Sequence, residues 1–198
     1  MNRRETLKMM ALAPFATLAP QPDSPDVQRA QEKVAVARQT SVPFAPSFFT
    51  EQEYETVRLL ADTIIPADER SGSASDVGVP EFIDFMMTDK PGLQTPIRGG
   101  LAWLDSQTKR RFGKSFVKSS PSQQTVLLDE IAYPDTAPPE VSQGVAFFNL
   151  FRDLTATGFW SSKVGIEDIG YMGNTFVHEW TGAPPDVLEK LGVSYDDA

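Results

Sequence analysis

Between residues 50 and 154 the apolar residues recur three and four positions apart, and nowhere in the chain do they alternate. That spacing buries one face of an α-helix and cannot line one face of a strand, so it restricts the chain to an all-α class. Thr50 and Glu53 have the spacing of a capping box. Behind them Tyr54, Val57, Ala61, Ile64 and Ile65 form the stripe of a first helix that Pro66 stops. Pro80 opens a second helix carrying Phe82, Ile83, Met86 and Met87. Ile97, Leu101 and Leu104, with Trp103 beside them, mark a third. Ser120-Pro121 opens a fourth, whose buried face is Leu127, Leu128 and Ile131. Pro138-Pro139 opens a fifth. Its stripe of Val141, Val145, Phe148, Phe151 and Leu154 is widened by Ala146, Phe147 and Leu150. A helix apolar over so much of its circumference is buried on more than one side, either at the centre of the domain or beneath a partner.

The ends of the chain read differently. Arg3-Arg4-Glu5-Thr6-Leu7-Lys8 precedes an apolar stretch from Met9 to Ala19, the layout of an export signal. The adjacent arginines, with Leu7 and Lys8 at their offsets, resemble a twin-arginine signal over residues 1–20, although Thr6 stands where an aromatic is usual and Pro20 disfavours cleavage after Ala19. Residues 21–46 are polar and rich in Pro, Ala and Gln. They read as a flexible linker, with Asp26 to Arg38 able to form a weak helix. The folded unit is expected over 47–198: a single compact domain of about five helices. A long irregular segment rich in Gly and aromatics then begins at Gly158, followed by a short helix from Asp186 to Leu191 that ends at Gly192.

The chemistry available is narrow. With 198 residues, a net charge of −9 and no cysteine, the chain is unsuited to phosphate-backbone binding and has no thiolate for a disulfide, an iron–sulfur cluster or covalent haem. No G-x-G-x-x-G, P-loop or G-x-S-x-G is present. His178 is the only histidine, too few for a histidine-based zinc or iron site. Glu167-Asp168 and Asp129-Glu130 are adjacent pairs that point apart and read as solvated faces. Asp68, Glu69 and Asp76 share a loop without the spacing of a known calcium loop. No catalytic, cofactor-binding or metal-ligating set is assigned. Phe159, Trp160, Tyr171, Asn174 and Trp180 are the candidate partner interface, because aromatic anchors dominate interface energetics; packing in the core is the competing reading. Arg152-Asp153 reads as an internal ion pair or cap.

Several stretches together resemble one family. They are Leu59 to Asp68, Gly78 to Asp84, Gly100 to Asp105, Arg152 to Thr155, Gly158 to Ser162, Gly170 to Asn174 and Trp180 to Pro184, in order and across roughly residues 50–185. The chain is similar to the gluconate 2-dehydrogenase subunit 3 family, the small subunit of flavin-dependent sugar and polyol dehydrogenases. The resemblance implies a non-catalytic accessory subunit with no cofactor of its own. Its partners would be a flavoprotein of the glucose–methanol–choline type holding FAD, often a multihaem cytochrome c subunit, and the twin-arginine translocase, for which Arg3, Arg4, Leu7 and Lys8 would be the signal. It also implies a periplasmic location, at the inner membrane through the complex, with no role for nucleic acid. Two rival readings stand beside it: a stand-alone periplasmic enzyme such as a two-carboxylate carbohydrate hydrolase, and a stabilising subunit that escorts nothing.

Overall fold

The computed structural model describes residues 24–40, 43–171, 178–179 and 182–195. These residues are helical, with no strand among them. Helices α1 (Pro25–Gln39), α2 (Glu51–Ile64), α3 (Val79–Asp89), α4 (Gln94–Phe112), α5 (Pro121–Ala132), α6 (Ser142–Trp160), α7 (Lys163–Asp168) and α8 (Pro185–Leu191) follow one another, with 3₁₀ turns leading into α4 and α6. The expected stop and start residues set most boundaries. Thr50 Oγ1 accepts from the Glu53 N–H while Glu53 Oε2 accepts from the Thr50 N–H, the reciprocal capping box. Ser120 and Gln123 repeat it at α5. Gly78, at φ 91°, turns the chain into α3 in a conformation open mainly to glycine.

Helix α6 is the axis of the domain. It touches α1 to α5 and α7, which is why its apolar residues cover so much of its circumference. Phe151 and Leu154 have no exposed surface, and Phe147, Leu150 and Phe159 have almost none. Of the two explanations for its wide stripe, the central position is the one observed. Phe82, Ile83, Met86 and Met87 of α3 are fully buried beside it, as are Ile97 and Leu104 of α4 and Leu127 and Ile131 of α5. In α2 the buried face is Val57, Leu60 and Ala61, with Tyr54, Ile64 and Ile65 half-buried at its edge.

Two expectations need correction. Residues 25–39, read as part of a flexible linker, form α1, and the helix is part of the core. Val27, Ala30 and Val34 are buried against α3. Gln31 Nε2 donates to the Gly158 carbonyl at 2.7 Å and Ser161 Oγ at 2.8 Å, tying α1 to the end of α6. Lys33 reaches Asp89 at 2.9 Å, and Arg38 meets Glu81 at 3.4 Å. The stripe consists of three short side chains in a charged sequence, so its periodic signal is weak, and long-range polar contacts supply the rest. The second correction concerns Gly158, expected to begin the irregular segment. It lies inside α6, where a Cβ would come within 2.7 Å of the Phe82 ring. Here glycine serves close packing rather than a turn.

Candidate functional site

Helices α4 and α6 cross by interlocking rings with glycines. A Cβ at Gly100 would lie 1.9 Å from the Phe147 ring, and one at Gly144 would lie 2.4 Å from Trp103. Early residues of α4 therefore meet later residues of α6, so the two run antiparallel. The loop before α6 adds its prolines beside this contact. The result is a groove of about 480 Å³, in the size range of ligand and peptide pockets. Its walls are mostly apolar: Pro96, Gly99 and Trp103 from α4, Val145, Ala146 and Phe147 from α6, and Pro134, Ala137, Pro138 and Pro139 from the loop. Ser142, Gln143 and Asn149 are the polar residues on the α6 wall. Asn149 Oδ1 is buried without a hydrogen-bond partner among the described residues. Sequence reasoning placed Trp103 beside the α4 stripe but did not find the groove. The available signal was the Gly99-Gly100 pair inside a helix, followed in the chain by prolines at 134, 138 and 139.

Exposed apolar side chains also occur at the end of α6 and beyond it. The structure separates the candidate interface residues. Phe159 is 1% exposed and belongs to the core, stacked edge-on against Trp160 at 5.7 Å. It offers nothing to a partner, and that assignment is corrected. Trp160 is 44% exposed and Tyr171 58%, with Ile169 also open to solvent. Asn174, Trp180 and the signal residues Arg3, Arg4, Leu7 and Lys8 lie outside the described residues.

Several acidic residues are committed to structure. Asp84, with no exposed surface, accepts from the backbone N–H groups of Ser47 (2.8 Å), Phe48 (3.0 Å) and Phe49 (3.1 Å), pinning the chain that leads into α2. Asp62 accepts from Ser75 N–H and Oγ at 2.7 Å each. Asp68 caps the N–H groups of Ser71 and Arg70, and Asp76 those of Ser73, which holds both carboxyls below the ordinary range. Partial burial opposes ionisation of Glu53, but the Thr50 N–H and the Arg98 guanidinium outweigh it and lower its pKa. Glu130 is lowered by two hydrogen bonds from Arg111, at 2.6 and 2.8 Å. Burial, with the Glu81 carboxylate beside it, pushes the Tyr54 hydroxyl up. Glu167 faces Lys163 on the surface at 3.8 Å, and Asp168 meets Arg70 at 3.4 Å. Arg152 and Asp153 are both half-exposed and 3.9 Å apart, a loose surface pair rather than an internal one. No group of three or more metal-ligating side chains occurs among the described residues. None of their helices is long and apolar enough to cross a membrane.

Compared with known families, residues 51–179 match the one described as gluconate 2-dehydrogenase subunit 3. The matched region begins at the first residue of α2, so it contains both walls of the groove and leaves α1 outside. No curated protein and no solved structure matches the chain.

Proposed function

The chain belongs to the gluconate 2-dehydrogenase subunit 3 family, and from that premise we propose that it is the non-catalytic accessory subunit of a periplasmic, membrane-associated sugar or polyol dehydrogenase. In this reading it folds in the cytoplasm and grips a flavoprotein of the glucose–methanol–choline type, which carries FAD and performs the oxidation. A multihaem cytochrome c would receive the electrons. The Arg3-Arg4 signal would take both proteins through the twin-arginine translocase to the periplasm, where the complex sits at the inner membrane.

The observation that carries the reading is the distribution of the side chains. Asp84, a carboxylate with no exposed surface, accepts from three backbone N–H groups and is spent on architecture. What the surface presents instead is apolar: a groove walled by prolines and Trp103, and the exposed rings of Trp160 and Tyr171. Exposed apolar area of this kind suits protein contact. A bound partner would also stabilise the subunit by mass action.

The test replaces Arg3 and Arg4 with lysine and follows the co-expressed dehydrogenase subunit by cell fractionation. Retention of that subunit in the cytoplasm is expected, because paired arginines are what the translocase reads. Undiminished export refutes the escort role. Purification of the wild-type chain from native membranes, with an absorbance scan of whatever accompanies it, tests the partner: flavin should co-purify.

A further inference from the structure

We propose that the basic end of α4 is a docking surface for anionic lipid headgroups. The net charge of −9 conceals a segregation. Residues 106–128 contain five lysines and arginines and no Asp or Glu, so the acidic excess lies in the rest of the chain. The fold gathers those five cations at one helix end. Lys109, Arg110 and Arg111 form the last turn of α4, which Gly113 ends at φ 72°. The chain then turns back, and Phe116 fixes the turn. Its ring has no exposed surface, its N–H donates to Asp105 Oδ1 at 2.9 Å, and its carbonyl accepts from Gln124 Nε2 at 2.8 Å. Lys114 and Lys118 are thereby set beside Lys109 around one open depression of about 510 Å³. Gln52, Gly113 and Ser115 complete its lining, which contains no carboxylate.

Part of this charge is answered within the chain and part is not. Asp105 meets Lys109 at 3.6 Å, and Glu130 takes Arg111. Arg110 donates to the neutral Gln107, and Lys114 and Lys118 have no ion-pair partner among the described residues. The dipole of α4 accounts for cations in its last turn, but not for two lysines placed beyond its cap. The character of the patch selects the partner. Protein interfaces favour Arg and aromatic anchors and are depleted in Lys. Between residues 109 and 118 no large apolar side chain is exposed. Lysine is a hydrated point charge on a flexible stem, suited to phosphates that move in a fluid surface. Clusters of about four or more such residues draw a protein to anionic membranes, each raising the affinity about fivefold. Charges more than about 8 Å apart are largely screened at physiological ionic strength, so acidic side chains farther off than that do not cancel a local cluster. With the complex at the inner membrane, the patch sets which face of the subunit lies on the lipid. That consequence rests on the function proposed above, whereas the contact rests on the charges alone.

The full-length chain is sedimented with vesicles of phosphatidylglycerol and phosphatidylcholine in equal parts, and with vesicles of phosphatidylcholine alone. Binding to the mixed vesicles only, weakened by added salt, is expected. Lys114→Gln with Lys118→Gln should lower it about twentyfold. Lys163→Gln with Lys190→Gln makes the same change in net charge at exposed sites on α7 and α8, and should lower it less than about twofold. Lys114→Arg with Lys118→Arg should retain binding, since the contact reads charge. Equal binding to both kinds of vesicle, or equal losses in the two glutamine pairs, overturns the proposal. So does binding that survives the glutamine pair at 114 and 118 but disappears with Arg3→Gln and Arg4→Gln, which would assign it to the leader. Loss of the co-purifying dehydrogenase subunit in the 114 and 118 pair, with vesicle binding intact, makes the patch a protein contact and overturns it too. Vesicle binding is read without the dehydrogenase subunit and export is read by fractionation, so either idea can fail while the other stands.

Discussion

Gly99 and Gly100 are neighbours in the middle of one helix, and alanine should have opposite effects at them. Helix propensity alone says that either substitution stabilises by about 1 kcal/mol. At Gly99 nothing lies within 4 Å of the new methyl group, so Gly99→Ala should keep that gain. At Gly100 the methyl carbon would sit 1.9 Å from Cδ2 of Phe147, where a carbon contact needs about 3.5–4.0 Å. The ring cannot swing aside. Phe147 is 2% exposed and held by Phe151 at 5.7 Å. The helices must then part by about 1.5–2 Å, and overpacking of this sort costs up to about 3 kcal/mol. Subtracting the propensity gain leaves Gly100→Ala destabilised by about 2 kcal/mol. The two variants should thus differ by about 3 kcal/mol, more than a hundredfold in the folding equilibrium.

For a chain of this size each kcal/mol moves the melting midpoint by about 2–4 °C. Gly99→Ala should melt a few degrees above wild type and Gly100→Ala several degrees below. Urea titration should show the same order in its midpoints with unchanged slopes, since a changed slope would mean altered compactness. Both variants shifting the same way, or lying within about 0.5 kcal/mol of each other, would refute the interlocked crossing of α4 and α6 and with it the shape of the groove.

Asp84→Ala should cost about 3 kcal/mol or more in urea unfolding, because three backbone donors lose a charged acceptor; a loss under about 1 kcal/mol would mean those donors find other partners. Val34→Asp buries a charge between α1 and α3 and should lower the melting midpoint while leaving a folded α-helical spectrum; no change would return residues 25–39 to the status of a linker. Stability should also fall in acid. Glu53 and Glu130 have folded-state pKa values below their ordinary ones, so their contribution is complete above the usual carboxylate pKa of about 4.3 and is lost as pH drops through and below it. The urea midpoint should decline below about pH 4.5, less steeply in Glu53→Gln, and a midpoint that rises there would contradict the assigned pairs.

The helices were legible because each carries its own punctuation. Thr50 with Glu53, Pro80, and Ser120-Pro121 are local signals, and the apolar stripes behind them needed no tertiary information. The breadth of the α6 stripe announced its burial on several sides. What stayed hidden was whatever depends on pairs distant in the chain. Helix α1 is held by Gln31 reaching Gly158 and Arg38 reaching Glu81, contacts that have no trace in local periodicity. Gly158 looked like a turn because its reason for being small is a ring on another helix. Phe159 and Trp160 are adjacent and equally aromatic, yet one is core and the other half-exposed, since consecutive residues on a helix point about 100° apart. The groove exists only where α4, α6 and the loop before α6 meet.

A 15-residue helix with three short buried side chains is marginal by itself in water, so α1 depends on α3 and α6 for its stability. Its position is fixed only after those helices have packed, through Asp26 on Lys90 and Gln31 on the Gly158 carbonyl. The dependence runs one way, so Val34→Asp should release α1 under conditions where α2 to α6 remain intact. Amide hydrogen exchange should then quicken over residues 25–39 while the buried amides of α6 keep their protection. Loss of protection in both helices together would show that α1 is integral to the packing of α6 rather than added to it.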